Sequence, residues 1–204
     1  MLRRRGPVPE DVATCRELSR QGVAAMEMGD WSQAEILLRK AHDTSPADAE
    51  TCRYLAEALW HRGAADEALK QMDEALQLDP ADASLTVRSG EMLLAMGDTE
   101  LALARAEEAI RLDPKLPAGW ALRGRVFWQR NQSDRALADL QRALEFAPDN
   151  ADILLDVAVL YRQRGQTSRC LTTVHHLLDT YPPGNEPQLA LMLEGMTLAE
   201  LGRP

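Results

Sequence analysis

The sequence predicts an all-α solenoid, a stack of antiparallel helix pairs, and three observations carry that prediction. A helix-ending phrase recurs: Glu74–Pro80 reads EALQLDP, Glu108–Pro114 reads EAIRLDP, and a third relative, RALEFAP, ends at Pro148. Prolines close these phrases and two others, and Pro46, Pro80, Pro114, Pro148 and Pro182 follow one another at intervals of 34 residues. Small residues keep the same period in two columns, Ala34, Ala68, Ala102, Ala136 and Cys170, and Gly22, Ala56, Gly90, Gly124 and Ala158. A turn residue keeps it too, as Gly29, Gly63, Gly97, Asn131 and Gly165. A further alanine column, Ala41, Ala75, Ala109 and Ala143, ends with Leu177.

Each unit reads as helix, short turn, helix, short turn. Gly or Asn at mid-unit can take φ > 0 and so close the first helix. The stretches that follow, such as GDWSQAE and NQSDRAL, supply Asp and Ser as expected caps for the second helix. The closing proline lacks an N–H and disfavours helix in the residue before it. In order along the chain, residues 1–14 form an N-terminal extension, in which Pro9 suits a first helical position and a helix begins near Glu10. Five units follow at 15–48, 49–82, 83–116, 117–150 and 151–184. After Pro182 the phase slips through PPGNEPQ into one more helix, so 185–204 reads as a capping helix or a truncated sixth unit. If Gly195 takes the small column, that helix is displaced by three residues from strict phase.

Small–x–x–apolar in the first helix, paired alanines in the second and a terminal proline at this period resemble the tetratricopeptide repeat. The resemblance covers roughly Cys15 to Gly184, and its best copy is PAGWALRGRVFWQRNQSDRALADLQRALEFAPDN, with Trp120 at the family's early Trp position. Leu18, Cys52, Thr86 and Leu154 occupy that position in the other units. The resemblance implies a right-handed superhelix, first helices lining a concave face, and a protein or peptide partner rather than a catalytic reaction. Pentatricopeptide repeats have a similar length but bind RNA and are usually basic.

Composition narrows the function classes. The 204 residues carry a formal charge of −9, which argues against a nucleic-acid partner. No run approaches the roughly 20 apolar residues that span a bilayer, and MLRRRGPVPED has no apolar segment behind its arginines, so a cytoplasmic location is expected. Cys15, Cys52 and Cys170 are scattered, which fits reduced core residues better than a disulfide framework. His42, His61, His175 and His176 show no metal-ligand spacing, and no phosphate loop or nucleophile elbow is present. No enzyme activity, cofactor or metal is therefore expected.

Within the first helices, unit positions 4, 8 and 11 share a core-facing stripe, Cys52, Ala56 and Leu59 in the second unit. The adjacent stripe should look into the groove. It offers Met26, Trp60, Leu94 and Trp128 as apolar anchors, with Arg53, Glu57, Glu91, Arg125 and Arg162 at their sides. The tryptophans suit either a groove anchor or inter-repeat packing. Acids and bases nearly balance on this stripe, so surplus negative charge falls on second helices and loops, as in Asp66, Glu67, Asp73 and Glu74. An apolar extended or helical peptide is the expected ligand. The slots matching a two-carboxylate clamp for a chaperone tail are Ser19, Val23, Tyr54, Ser84 and Arg88; only Arg88 fits, so no such tail is expected. Self-association is the alternative, through Leu189, Met192, Leu193 and Met196 of the apolar last helix, as is an accessory role within a larger enzyme.

Overall fold

The computed structural model describes residues 10–202, with side chains from residue 12, so the Pro9 expectation lies outside the described residues. Eleven helices occur among them: α1 Glu10–Glu27, α2 Trp31–Thr44, α3 Ala49–His61, α4 Ala65–Leu78, α5 Ala83–Ala95, α6 Thr99–Leu112, α7 Pro117–Gln129, α8 Ser133–Phe146, α9 Ala151–Gln163, α10 Thr167–Asp179 and α11 Gln188–Glu200. They fit five helix pairs plus a C-terminal helix. The chain divides after Asp98 into two compact units. In the first, α1 packs on α2, α2 on α3, α3 on α4 and α4 on α5; in the second, the same sequential packing runs from α6 to α11.

The mid-unit turns are built alike. Gly29 takes φ 75°, and its N–H donates to Met26 O while Asp30 N–H donates to Ala25 O. These two hydrogen bonds satisfy carbonyls that a helix end would leave bare. The same pair of bonds closes α3, α5, α7 and α9, and Asn131 manages it at φ 59° because Asn tolerates the left-handed region. Of the expected second-helix caps, Asp30 accepts from Gln33 N, whereas α4, α8 and α10 start without a side-chain cap. Side-chain caps also start three first helices, α3, α5 and α9, while α7 starts without one. Asp48, Asp82 and Asn150, two residues past their prolines, accept from Thr51 N, Leu85 N and Ile153 N. The physical reason is that the Schellman turn leads directly into the second helix, while the proline turn leaves the next helix start open.

Small-residue columns set helix separation. A Cβ on Gly22 would lie 2.6 Å from Leu38 Cγ, and one on Gly124 would lie 2.9 Å from Leu140 Cγ. Where the column holds alanine, the residue sixteen positions on is Met72 or Val174, and Ala56, Met72, Ala158 and Val174 are all fully buried. At these positions a small residue on one helix thus faces a large buried aliphatic residue on the other. The predicted core stripe Cys52, Ala56 and Leu59 is at most 1% exposed. Gly195 does not act as a close-packing residue: a Cβ there meets nothing within 4 Å. The last helix instead buries Ala190, Leu193 and Thr197, a face that its Leu and Met spacing does not single out.

Candidate peptide-binding surfaces

In the first unit, Met26 and Trp60 are half-buried and rest on one cluster of Leu, Met, Cys and Ala. Leu94 is half-buried as well. All three sit in the last turn of a first helix, because their carbonyls accept the glycine N–H that closes the turn. The charged neighbours are not free. Arg88 forms a fork–fork pair with Glu57, Nε to Oε1 and Nη2 to Oε2 both at 2.6 Å, and its Nη1 donates to Glu91 at 3.2 Å. Such bidentate pairs are the strong members of their class. Hydrogen bonding to Glu57 holds the Arg88 pKa above its usual value against the opposing effect of burial. Arg53 lies 4.1 Å from the Tyr54 ring centre and 3.8 Å from Glu50.

The second unit repeats the device with signs reversed. Arg125 donates to Asp156 at 2.6 Å. Burial pushes the Asp156 pKa up, although Arg125 pulls against it. Trp128 is half-buried on its own core cluster and donates Nε1–H to Gln163 Oε1 at 2.8 Å. Arg162 reaches Glu200 of α11 at 2.8 Å. Trp60 and Trp128 therefore each pack against a core cluster while remaining only half-buried. The Glu57–Arg88 and Arg125–Asp156 pairs both join residues 31 apart, between consecutive first helices. Opposite charges at that separation were a readable signal that column-by-column reading passed over.

The clamp slots Ser19, Val23 and Tyr54 line a cavity of about 360 Å³ together with Arg16, Glu50 and Thr51. Ser19 Oγ and Thr51 Oγ1 are hydrogen-bonded at 2.7 Å across it. Elsewhere the thiols are free and buried. Burial pushes the Cys52 pKa up to about 11 and raises that of Cys170, the reverse of an activated nucleophile. His175 and His176 do have acidic neighbours, Glu194 at 3.0 Å and Asp149 at 2.9 Å, brought from other elements rather than by local spacing. On α11, Leu189, Leu191, Met192 and Met196 are between 44% and 56% exposed, whereas Leu193 is 6% exposed and joins the core of its own chain. No helix among the described residues is long and apolar enough to cross a membrane.

One family model described as tetratricopeptide repeat matches residues 25–85 and 127–193, and a second such model matches 88–151. The chain belongs to the tetratricopeptide repeat family. No curated protein matches this repeat chain. Among solved structures it is similar to TTC0263, a thermophilic tetratricopeptide repeat protein of Thermus thermophilus, with 23% identity, TM-score 0.75, and coverage of 92% of this chain and 98% of that one. It is also similar to Pseudomonas aeruginosa PilF, at 19% identity and TM-score 0.79, covering 94% and 86% of the two chains. YrrB, a tetratricopeptide repeat protein with an unusual peptide-binding site, is 17% identical with TM-score 0.61, over 91% and 98%. At these identities the likeness speaks to the fold.

Proposed function

We propose that the chain is a non-catalytic interaction scaffold whose first helices hold an apolar peptide or helix of a partner protein. The observation that carries this reading is the self-pairing of charge around half-buried apolar anchors. Glu57, Glu91, Arg125 and Arg162 are engaged by Arg88, Asp156 and Glu200, while Met26, Trp60 and Leu94 in one unit and Trp128 in the other are only half-buried. Burying the rest of these side chains supplies affinity, and a scaffold whose side chains are already fixed by ion pairs limits the ordering cost on binding. The peptide-binding site named for YrrB is consistent with such a use of the fold. Three free buried thiols favour a reducing compartment, and we place the protein in the cytoplasm.

A displayed library of random peptides tests the reading. Selection should enrich sequences with apolar residues at i, i+3 or i+4 spacing. Binding of the selected peptides should change less than about threefold between low and high salt, since screening acts on unmatched exposed charge. Trp60→Ala or Trp128→Ala should weaken it about tenfold or more with helical content intact, in the range of interface hot spots. Enrichment of acidic or basic peptides with steep salt dependence would sink the proposal, and collapse of the helical signal would reassign the tryptophans to the core.

The exposed Leu189, Leu191, Met192 and Met196 favour a second reading, self-association through α11. Sedimentation decides it: a monomer at high concentration removes it.

A further inference from the structure

Away from the first-helix surfaces, α2, α3 and α4 bring three metal-ligating side chains into one cluster. His42 in the last turn of α2, Cys52 in the first turn of α3 and Glu74 in α4 place one ligand atom each within 4.8 Å of one another. We propose that His42 Nε2, Cys52 Sγ and a Glu74 carboxylate oxygen form a mononuclear site for a divalent transition metal of the zinc class.

The His42–Glu74 edge of the cluster already has the spacing of two ligands on one metal. His42 Nε2 and Glu74 Oε2 are 3.3 Å apart. A charge-assisted N–H···O bond would bring them to about 2.7–2.9 Å. Nitrogen and oxygen ligands at ordinary zinc bond lengths and a tetrahedral angle stand about 3.4 Å apart, and a sulfur and a nitrogen about 3.6 Å. Closing the remaining edges takes about 1 Å of side-chain movement at these bond lengths. Cys52 is fully buried and held by its helix, so that movement falls to His42 and Glu74, whose side chains are 23% and 46% exposed. One sulfur, one imidazole nitrogen and one carboxylate is a borderline-soft set; magnesium and calcium take oxygen ligands throughout.

The surroundings hold the ligands in place. Gln71 Nε2 donates to Glu74 Oε2 at 3.1 Å and orients the carboxylate. Its own Oε1 is buried and has no hydrogen-bond partner among the described residues, so a further oxygen donor stands on a side chain that touches a ligand. Asp43 Oδ1 lies 4.0 Å from His42 Nδ1, the side that carries the proton when Nε2 binds a metal. On binding, the Cys52 thiol gives its proton to solvent as the sulfur–metal bond forms, and thiolate and carboxylate together balance the dication; nothing is oxidised or reduced. Three protein ligands leave a fourth position to water on the solvent side. The ion would tie the first helix pair to the second through α2, α3 and α4.

Cobalt(II) added to the full chain carrying Cys15→Ala and Cys170→Ala tests the site, because Cys52 is then the sole thiol. The expected result is one cobalt per chain with a thiolate-to-cobalt charge-transfer band, displaced by zinc, and a thermal midpoint raised at saturation. On that background Glu74→Gln and His42→Ala, both at partly exposed positions, should retain the helical signal and weaken binding about tenfold or more. Absence of the band in the sole-thiol chain overturns the proposal. So does a band of unchanged affinity in both the Glu74→Gln and His42→Ala variants, or one that survives Cys52→Ser.

Discussion

The two compact units follow one period and fill it with different chemistry. The first has an aliphatic core of Leu38, Leu55, Leu59, Met72 and Met92 between fully buried alanines, and its aromatic residues stay at the margin. Trp31, for instance, stacks on His61 at 3.9 Å. The second buries Phe127 and Tyr161 and lays arginines over its rings, Arg135 at 4.0 Å from Phe127 and Arg123 at 4.9 Å from Trp120. One pair of columns makes the contrast concrete. Leu55 and Gln71 in the first unit correspond to Arg123 and Asp139 in the second, where Nε and Nη2 bond the carboxylate at 2.7 and 2.9 Å and Asp139 is only 7% exposed. The difference teaches that the period constrains helix ends and close-approach columns. Other columns accept apolar or ionic content, as the Leu55–Gln71 and Arg123–Asp139 pairs show.

The largest expected effect follows from that pair. Arg123→Ala strands a buried carboxylate and should cost about 3 kcal/mol by chemical denaturation. The double change Arg123→Leu with Asp139→Gln copies the first unit into the second and should regain most of it. A loss below about 1 kcal/mol for the single variant would place the pair with weak surface bridges and break the contrast. The next effect tests the columns that both units share. Gly22→Ala drives a Cβ into Leu38 and should cost about 1–3 kcal/mol. Adding Leu38→Val recreates the Ala158–Val174 pairing and should return at least half of that, seen as a favourable coupling in a double-mutant cycle. Equal losses in the single and double variants would mean that the clash is not what limits the site.

The smallest effect is a pH dependence of opposite sign in the two units. Burial acts upward on the Glu35 pKa, but hydrogen bonds from Arg39 and Arg62 outweigh it and leave it lowered. Glu35 thus contributes stability at neutral pH that is lost as pH falls through the carboxylate range. The Asp156 pKa is raised by burial, so the folded chain holds its proton more tightly than the unfolded one. Its contribution is present at low pH and lost as pH rises through the folded value. Denaturation of Glu35→Gln and Asp156→Asn across the acid range checks both signs. The wild-type advantage over the first variant should shrink on acidification, and that over the second should grow.

Much of this was legible beforehand. The proline and glycine columns announced every described helix pair, and the small column announced the contacts of Gly22 and Gly124. The cap expected from GDWSQAE is present at Asp30 and the one from NQSDRAL is not, because Asp and Ser look alike wherever a helix begins and only the turn geometry shows which start lacks partners. The expected groove positions could be named as a stripe, but the pairing of Glu57 with Arg88 depends on how far consecutive first helices are offset. The apolar α11 was visible, yet Leu193 faces its own core while Met192 does not, a choice made by the rotation of one helix against α10 and α9.

The sequence by itself determined the secondary structure, the order of packing and the core stripe, because these depend on local backbone preference and on a period that needs no distant information. Tertiary structure alone decided which charges neutralise one another, which face of the last helix stays exposed, and that His42, Cys52 and Glu74 meet. Those outcomes depend on distances between helices, and a few ångströms of offset separate a solvated charge from a bonded one.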